Sequence, residues 1–348
     1  MTFDEIMQAM LAKVPDTFDK RENSLIYAAL APAAMELASL YAQLEFYDQI
    51  TYAQNAEGDH LTLRCAERGV RRKQSTKAIR KGVFNTDVPI GTRFGVNGTT
   101  YIAQKRIEAN QFELQCEQAG EIGNVYSGEI LPIDYVQGLN NAQLTDILIP
   151  GEDQEDDQTL RKRYFNSIDN QAFGGNMADY LEKTNAIDGV GGTKVYPVWN
   201  GGGTVKLVVI DSSFNKPSTK LIDDIQQAID PLATKGKGYG IAPIGHTVTV
   251  EGVGETIVTI ATHITLQSGY TWEDVKPLLT VSINEYLSEL RKTWADSQNI
   301  VVRIAYIETR ALATTGVLDI TNTTINGLAQ NLSVDANHIP VFGEVSNP

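Results

Sequence analysis

This chain of 348 residues is poor in the residue types that catalytic and metal sites use most. It has two cysteines, Cys65 and Cys116, and four histidines, and none of them has a metal-ligating neighbour at a spacing typical of zinc sites. Two cysteines in a long chain are typical of ordinary buried thiols, which argues against a disulfide framework. We therefore expect no metal and no cofactor.

Sequence motifs of phosphate binding and acyl transfer are also missing. The segment Gly236-Lys237-Gly238 lacks the hydroxyl residue and the preceding spacing of a phosphate-binding loop. No Gly-x-Ser-x-Gly nucleophile elbow occurs. The acidic run at 152–157 lacks the alternating ligands and the glycine turn of an EF-hand. We expect a protein that is not an enzyme. A glycoside hydrolase with two carboxylates is the alternative that so many acidic residues leave open.

Positive charge is scarce as well. The chain has 43 Asp and Glu against 29 Lys and Arg, a formal net charge of −14. Nucleic-acid binding needs a basic surface, so we expect no nucleic-acid partner. No uninterrupted apolar run approaches the roughly 18 residues of a membrane span. The first residues lack a basic, apolar secretion signal, which predicts folding in a cytoplasm without membrane insertion.

What the chain does contain is enough apolar sequence, 42%, for several folded domains. We predict an α+β multidomain protein, because helical, β-rich and mixed segments follow one another. An Asn97-Gly98 hairpin turn falls in the β-rich segment. The four predicted parts are a helical segment at 1–57, a small β-rich domain at 58–150, and tandem α+β domains at 151–255 and 256–348.

The predicted helices at the N-terminus carry a candidate interaction seam. Thr2 and Glu5 form a capping box before the first helix. A longer helix is predicted from about residue 24 to 54, with Pro32 as a kink or restart point. Apolar residues in it alternate four and three apart, as in a coiled coil, at Leu37, Leu40, Leu44 and Tyr47. The helix either packs on its own domain or joins a bundle with a partner.

A basic connector, residues 64–81, stands out in this acidic chain. A solvated face is the ordinary interpretation of such a run. The alternative is a docking surface for an acidic neighbour, such as another copy of the chain. The candidate docking residues are Arg68, Arg71, Arg72 and Lys73.

The two predicted α+β domains share an order of short motifs, which indicates an internal duplication. Each has a helix, a Gly-Val junction, an Asn-Gly hairpin turn and a closing strand. The motifs lie at 180–182, 189–190 and 200–201 in the first domain, and at 306–308, 316–317 and 326–327 in the second. Chance similarity between common α+β pieces is the alternative.

Several fragments in a fixed order resemble a known family. They lie at 58–72, 88–94, 120–125, 152–163, 174–180, 189–190 and 202–205, and include Val88-Pro89-Ile90-Gly91-Thr92-Arg93-Phe94 and Gly174-Gly175-Asn176-Met177-Ala178-Asp179-Tyr180. Together their order and spacing resemble the baseplate J-like proteins of contractile phage tails and phage-tail-like particles, over most of the chain.

The resemblance implies a structural wedge component of a contractile baseplate, assembled in the bacterial host cytoplasm. Two copies would pair within a wedge, and wedges would join into a ring around the spike and tube hub. The N-terminal helices would enter a bundle with a second wedge protein, near sheath-initiator and hub-proximal baseplate proteins. A phage tail, a bacteriocin-like particle and a secretion-system scaffold all fit. A tail-associated cell-wall-degrading enzyme is the runner-up.

Overall fold

The computed structural model describes residues 1–169 and 174–348. Helices in these ranges are α1 (Phe3–Leu11), α2 (Leu25–Thr51), α3 (Gly58–Ala66), α4 (Ile122–Val125), α5 (Asp157–Asp169), α6 (Met177–Asn185), α7 (Thr219–Ile229), α8 (Trp272–Lys292) and α9 (Ile304–Leu312). The strands are β1 (Lys77–Phe84), β2 (Arg93–Val96), β3 (Thr99–Glu108), β4 (Gln111–Ala119), β5 (Gly128–Glu129), β6 (Leu131–Pro132), β7 (Ala142–Ile149), β8 (Val190–Pro197), β9 (Thr204–Asp211), β10 (Thr247–Gly252), β11 (Gly254–Leu266), β12 (Val301–Val302), β13 (Val317–Ile325), β14 (Leu332–Ser333) and β15 (His338–Ser346). The predicted α+β multidomain class is confirmed.

The chain divides into two compact units. The helical unit contains Met1–Gln74 and the segment from Gln154 to the end of α5. The body contains Ser75–Asp153 and the described residues from 174 onwards. These limits differ from the predicted boundaries at 57 and 150. The predicted boundaries place α3 in the β-rich domain and α5 in the first α+β domain, whereas in the structure both helices lie in the helical unit.

The helical unit has two small cores. The predicted capping box is confirmed, since the Thr2 amide donates to Glu5 Oε2 at 2.8 Å and fixes the start of α1. Helix α1 packs on the first half of α2 through Ile6, Met7 and Ala34. Helix α2 is continuous through Pro32, so the predicted restart is wrong. The second core joins α3 to α5 and contains Ala53, Ala56, Leu61, Cys65 and Leu160.

The β-rich domain is a seven-stranded antiparallel sheet in the order β5-β7-β1-β4-β3-β2-β6. The predicted hairpin turn is confirmed between β2 and β3, where Asn97 and Gly98 have φ of 47° and 80°. A two-residue turn with positive φ at both positions has a backbone twist that matches the right-handed twist of the flanking strands. Asparagine and glycine both tolerate positive φ. The core holds three stacked or edge-on phenylalanines, Phe84, Phe94 and Phe112.

The central domain contains the three-stranded sheet β10-β9-β8, with β8 antiparallel and β10 parallel to β9. Asn176 is the N-cap of α6, because its side chain accepts from the Asp179 amide at 2.8 Å. Helix α7 closes the outer edge of β10 with two buried side chains. Gln226 Oε1 accepts from the Val250 amide and Asp230 Oδ2 from the Val248 amide, both at 2.9 Å. These bonds occupy edge amides that could otherwise bind another strand.

The C-terminal domain contains the sheet β13-β11-β15, again with one antiparallel and one parallel neighbour of the central strand. Here the central strand β11 precedes both neighbours, whereas β9 follows its antiparallel neighbour. The strand after the Asn326-Gly327 turn, β14, pairs with β12 and forms no hairpin with β13. The hairpin of the predicted repeat is therefore absent in this domain, whereas a helix, a Gly-Val junction at the start of a strand and an Asn-Gly turn follow one another in both domains. Helix α8 starts at Trp272 and continues through Pro277.

The central and C-terminal domains share one hydrophobic core. Val208 and Ile210 of β9 belong to the cluster that also holds Val258, Ile283 and Trp294 of the C-terminal domain. The opposite face of β9, with Leu207 and Val209, packs in the core of the central domain. Since β9 is buried on both faces, the two domains form one continuous body.

A buried carboxyl lies at the end of β9. Asp211 is 8% exposed, and its Oδ1 accepts from the Asn215 amide at 2.8 Å. Burial raises the pKa of Asp211 to about 6, although the Asn215 and Ser213 amides and the charge of Arg291 oppose the shift. Between pH 4 and pH 6 the folded state thus holds a proton that the unfolded state releases, and stability falls as the pH rises through this window.

Asp211→Asn is therefore expected to stabilise the protein above pH 6 and to have little effect near pH 4. At about 1.4 kcal/mol per pKa unit, the gain at neutral pH is at most about 3 kcal/mol. Urea unfolding followed by circular dichroism at pH 4, 5, 6 and 7.5 measures it. The exposed Asp188→Asn in the same domain is the control. An equal gain at all four pH values would show that ionisation of Asp211 is not the cause.

Candidate interaction surfaces

The predicted seam of α2 is solvent-exposed in the chain. Leu37, Leu40, Leu44 and Tyr47 are 39%, 51%, 54% and 62% exposed. Helix α1 covers only the first half of α2, and Ala34 is the buried residue of this long helix. The sequence left two interpretations open: the helix packs on its own domain, or it joins a bundle with a partner. In the described chain the seam does not pack on its own unit.

Apolar surface on α2 extends beyond the seam. Met35, Tyr41 and Phe46 are also exposed by more than a third. Phe46 makes an edge contact with His60 of α3, with the ring centroids 6.3 Å apart, on a side of the helix away from Leu40 and Leu44. Folded proteins rarely leave extended apolar patches in solvent unless a partner or a membrane covers them.

Helix α2 is also long and apolar enough to cross a membrane, by length and composition. The expectation that no segment is long and apolar enough to span a membrane is therefore wrong. That expectation was based on uninterrupted apolar runs, whereas α2 reaches the required mean hydropathy with a few polar residues among the apolar ones. A bilayer or a partner protein can cover such a surface.

The structure divides the four candidate docking residues of the basic connector. Arg68 and Arg71 are exposed, and Lys73 is half-buried, with its backbone amide donating to Glu155 Oε2 at 3.0 Å. Arg72 is internal, with a side chain only 8% exposed. Its guanidinium donates to Thr62 Oγ1, to the carbonyls of Gly58 and Glu155, and to Asp157 Oδ1 at 2.6 Å. The donors of Arg72 are thus used inside the helical unit, which sets Arg72 apart from the exposed Arg68 and Arg71.

Arg72 is part of an ion-pair clasp that holds the segment 154–169 to residues 53–73. Arg163 makes two bonds to the buried Glu155 carboxylate of its own segment, at 2.6 and 2.8 Å, and donates from Nη2 to the Arg71 carbonyl at 2.6 Å. Arg161 donates to the carbonyls of Ala53 and Ala56. Bidentate arginine–carboxylate geometry is the stronger kind of ion pair. These bonds hold α5 in the helical unit, although α5 is distant in sequence from the other helices of that unit.

The acidic run at 152–157 also makes internal bonds. Asp156 caps α5 by accepting from the amides of Gln158 and Thr159, and these amides lower the pKa of Asp156. The Gly58 amide, with Arg72, lowers the pKa of Asp157. Within residues 1–169 and 174–348, no three His, Cys, Asp or Glu side chains form a group suited to a metal ion.

The central domain has a cleft of about 210 Å³ beside the tip of the β8–β9 hairpin. Tyr180 and His246 stack at one side of it, with the Tyr180 hydroxyl 2.8 Å from His246 Nδ1. Burial, reinforced by the charge of Asp230, raises the pKa of Tyr180 to about 12. The remaining lining is Gly175, Met177, Val195, Pro197, Val198, Gly203, Thr204 and Val205. No carboxylate lines this cleft, so it offers no pair for glycoside hydrolysis.

His338, His60 and the two cysteines each contact other residues of the fold or are buried in it. His338 Nδ1 lies 3.2 Å from Asp335 Oδ1 in the turn before β15, and His60 touches Phe46. Cys65 and Cys116 are buried free thiols, and burial raises the pKa of both. Thiols with a raised pKa are poor nucleophiles at neutral pH.

Comparison with known proteins identifies the class to which this architecture belongs. The model of the Baseplate J-like central domain matches residues 172–252, and that of the Baseplate J-like protein C-terminal domain matches residues 258–347. These two domain models define a phage-baseplate type of structural protein. The chain belongs to the baseplate J-like family.

Similar whole chains support this assignment. Uncharacterized protein YqbT of Bacillus subtilis (strain 168) is 38% identical over 99% of this chain and 97% of its own. Phage-like element PBSX protein XkdT of the same organism is 37% identical over 99% of this chain and 97% of its own. Baseplate protein gp47 of Escherichia phage Mu is 25% identical over 72% of this chain and 69% of its own. A chain in a cryo-EM structure of the anti-feeding prophage (AFP) baseplate, at 10% identity and a TM-score of 0.42, covers 98% of this chain and 90% of its own. A TM-score this low does not by itself establish a shared fold.

Proposed function

We propose that this protein is a structural wedge component of the baseplate of a contractile phage tail or phage-tail-like particle. Two copies pair within a wedge, and wedges join into a ring around the spike and tube hub. The family match over the central and C-terminal domains supports a baseplate role, as do relatives named for a phage-like element and for a phage baseplate.

The observation that carries the proposal furthest is the exposed seam of α2. A helix with Leu37, Leu40 and Leu44 in solvent is unfavourable in an isolated chain and favourable where other helices cover it. We assign the seam to a bundle with a second wedge protein. Sheath-initiator and hub-proximal baseplate proteins are the neighbours expected beyond that bundle.

A non-enzymatic role follows from the same proposal. The apolar lining of the central cleft and the internal bonding of the acidic run support it. The protein then acts by binding sibling subunits at the baseplate of the particle. Arg68 and Arg71 remain candidate docking residues for an acidic neighbour, because both side chains are exposed.

Leu40→Asp tests the role of the seam. Leu40 is half-exposed in the chain, so we expect its free energy of unfolding to change by no more than about 0.5 kcal/mol. In a bundle the same carboxylate would be buried unpaired at a cost of several kcal/mol, so the variant should enter particles at least about 100-fold less. Immunoblotting of purified particles from cells that carry only the variant gene measures incorporation.

Leu25→Asp is the matched control for this test. It introduces the same charge on the same helix, at a position 87% exposed in the first turn, where an acid suits the helix dipole. We expect it to assemble as the unmodified chain does. If the Leu40→Asp variant enters particles normally, the seam does not bind another helix in the baseplate.

A further inference from the structure

All charged side chains of α2 are acidic. The helix contains Glu36, Glu45 and Asp48 and no lysine, arginine or histidine. All three carboxylates are exposed, and none of them belongs to an ion pair in the part of the chain that the structure describes. Opposite charges three or four residues apart stabilise an exposed helix, and the sequence of α2 contains no such pair.

Two of these acids lie beside the seam. When Leu37 and Leu44 occupy the a positions and Leu40 and Tyr47 the d positions of a heptad, Glu36 is at g and Asp48 at e. The e and g residues are those that face the flanks of a partner helix and set which partner is accepted. The remaining flanking residues of this stretch, Tyr41 and Gln43, are uncharged.

The last turns of α2 also have an unfavourable charge arrangement. Asp48 lies in the last turn, at the negative end of the helix dipole, and that turn contains no basic residue. Glu45 and Asp48 are three residues apart, where like charges repel. A cation from outside the helix would relieve both effects.

We propose that the seam of α2 binds an apolar helix of a different protein, one that carries Lys or Arg at the positions flanking its own seam. This inference rests on the proposed function and identifies the chemistry of the bundle partner. A second α2 seam fits less well, because it brings only further carboxylates and no attractive pair across the e and g positions. The partner helix needs about three turns to span Leu37 to Tyr47, roughly 15 Å at 1.5 Å per residue.

Two synthetic helical peptides test this with the full-length protein. Both have one leucine seam; one has lysine and the other glutamate at all e and g positions. We expect the lysine peptide to bind at least ten-fold more tightly at low salt, with an advantage that shrinks as salt screens the charges. The double variant Glu36→Lys/Asp48→Lys should reverse this preference, whereas Glu182→Lys/Asp188→Lys, on the body, should leave it unchanged.

Other occupants of the seam give different results. Equal binding of the two peptides, or no binding of either, overturns the proposal. Dimerisation of the protein that Leu40→Asp abolishes would assign the seam to a second copy. Sedimentation of the protein with neutral phosphatidylcholine vesicles, without discrimination between the peptides, would assign it to a bilayer. Either result overturns the basic-helix partner.

Particle assembly separates this inference from the proposed function. We expect Glu36→Lys/Asp48→Lys to enter particles at least ten-fold less than the unmodified chain. If Leu40→Asp is excluded from particles while the charge reversal is incorporated normally, the bundle role stands and the basic partner is refuted. If both are incorporated normally, the seam has no part in assembly and the bundle role itself is refuted.

Discussion

Trp294→Ala is expected to lower the free energy of unfolding of the body by about 3–5 kcal/mol, the usual cost of truncating a large buried aromatic residue. Trp294 follows α8 and is 1% exposed in the core that the central and C-terminal domains share. Its Nε1 donates to the Ala336 carbonyl at 3.0 Å. Lys194 of β8 places its Nζ 4.7 Å from the centroid of the Trp294 ring.

The loss of Trp294 would affect both domains because Lys194 depends on the same surroundings. Lys194 Nζ donates to the Ala336 carbonyl at 2.7 Å, and burial lowers the pKa of Lys194. Without the indole face, this half-buried cation loses a cation–π contact worth about 0.5–2 kcal/mol. The Tyr196 hydroxyl next to it bonds Asn337 at 2.6 Å, so a short stretch of β8 holds the loop before β15.

Urea unfolding monitored by circular dichroism measures this effect, with Trp199→Ala as the control. Trp199 lies at the tip of the β8–β9 hairpin and is 41% exposed, so its truncation should cost about 1 kcal/mol or less. A shared core also predicts that central and C-terminal domains unfold in one transition in the unmodified body. A Trp294 variant as stable as the Trp199 variant would show that the junction contributes little.

Local structure could be predicted from the sequence where the stabilising bonds are short in range. The Thr2–Glu5 box, the Asn97-Gly98 turn and the Asn176 cap each involve residues at most three positions apart. Such bonds form whatever the rest of the chain does, so residue type and spacing are enough. The seam of α2 was found in the same way, from the period of its apolar residues.

Long-range structure could not be predicted, for a physical reason that α3 and α5 illustrate. Gly58 donates to Asp157 from 99 positions away, and Leu61 shares a core with Leu160. Nothing in the pattern of either helix specifies the other, since many apolar faces would fit equally well. The hairpin predicted after the Asn326-Gly327 turn is absent for the same reason, because β14 pairs with β12 and not with β13.

The basic connector shows why the members of a candidate docking site could not be predicted from the sequence alone. A run of basic residues looks uniform in the sequence, yet in the folded chain its residues differ widely in solvent exposure. Arg68 and Arg71 stay in solvent, Arg72 enters the clasp of the helical unit, and Arg80 is fully buried in the body. Every second residue of β1 is buried, but Ile79 and Val83 fall on the other face, so the apolar pattern of the sequence did not mark Arg80 as internal.

Arg80→Ala is expected to destabilise the body by about 3–5 kcal/mol, since a fully buried charged side chain is removed from a complete set of partners. The Arg80 guanidinium donates to Ser127 Oγ at 2.6 Å and to the carbonyls of Thr145 at 2.7 Å and Gly123 at 2.9 Å, with a longer bond of 3.3 Å to the Asp146 carbonyl. Burial lowers the pKa of Arg80, which reflects the cost of keeping the charge inside.

The neighbouring residue on the same strand provides the control. Lys81 points to the other face of the sheet and makes only a 3.9 Å contact with Asp146, so Lys81→Ala should cost about 1 kcal/mol or less. Arg80→Met restores most of the volume without the donors and should still lose about 2 kcal/mol, because the loop around α4 and the end of β7 keep unpaired carbonyls. If Arg80→Met unfolds at the same urea concentration as the unmodified chain, side-chain volume and not hydrogen bonding is what Arg80 contributes. Arg80 would then be a spacer in the sheet, and the buried charge would add nothing to its stability.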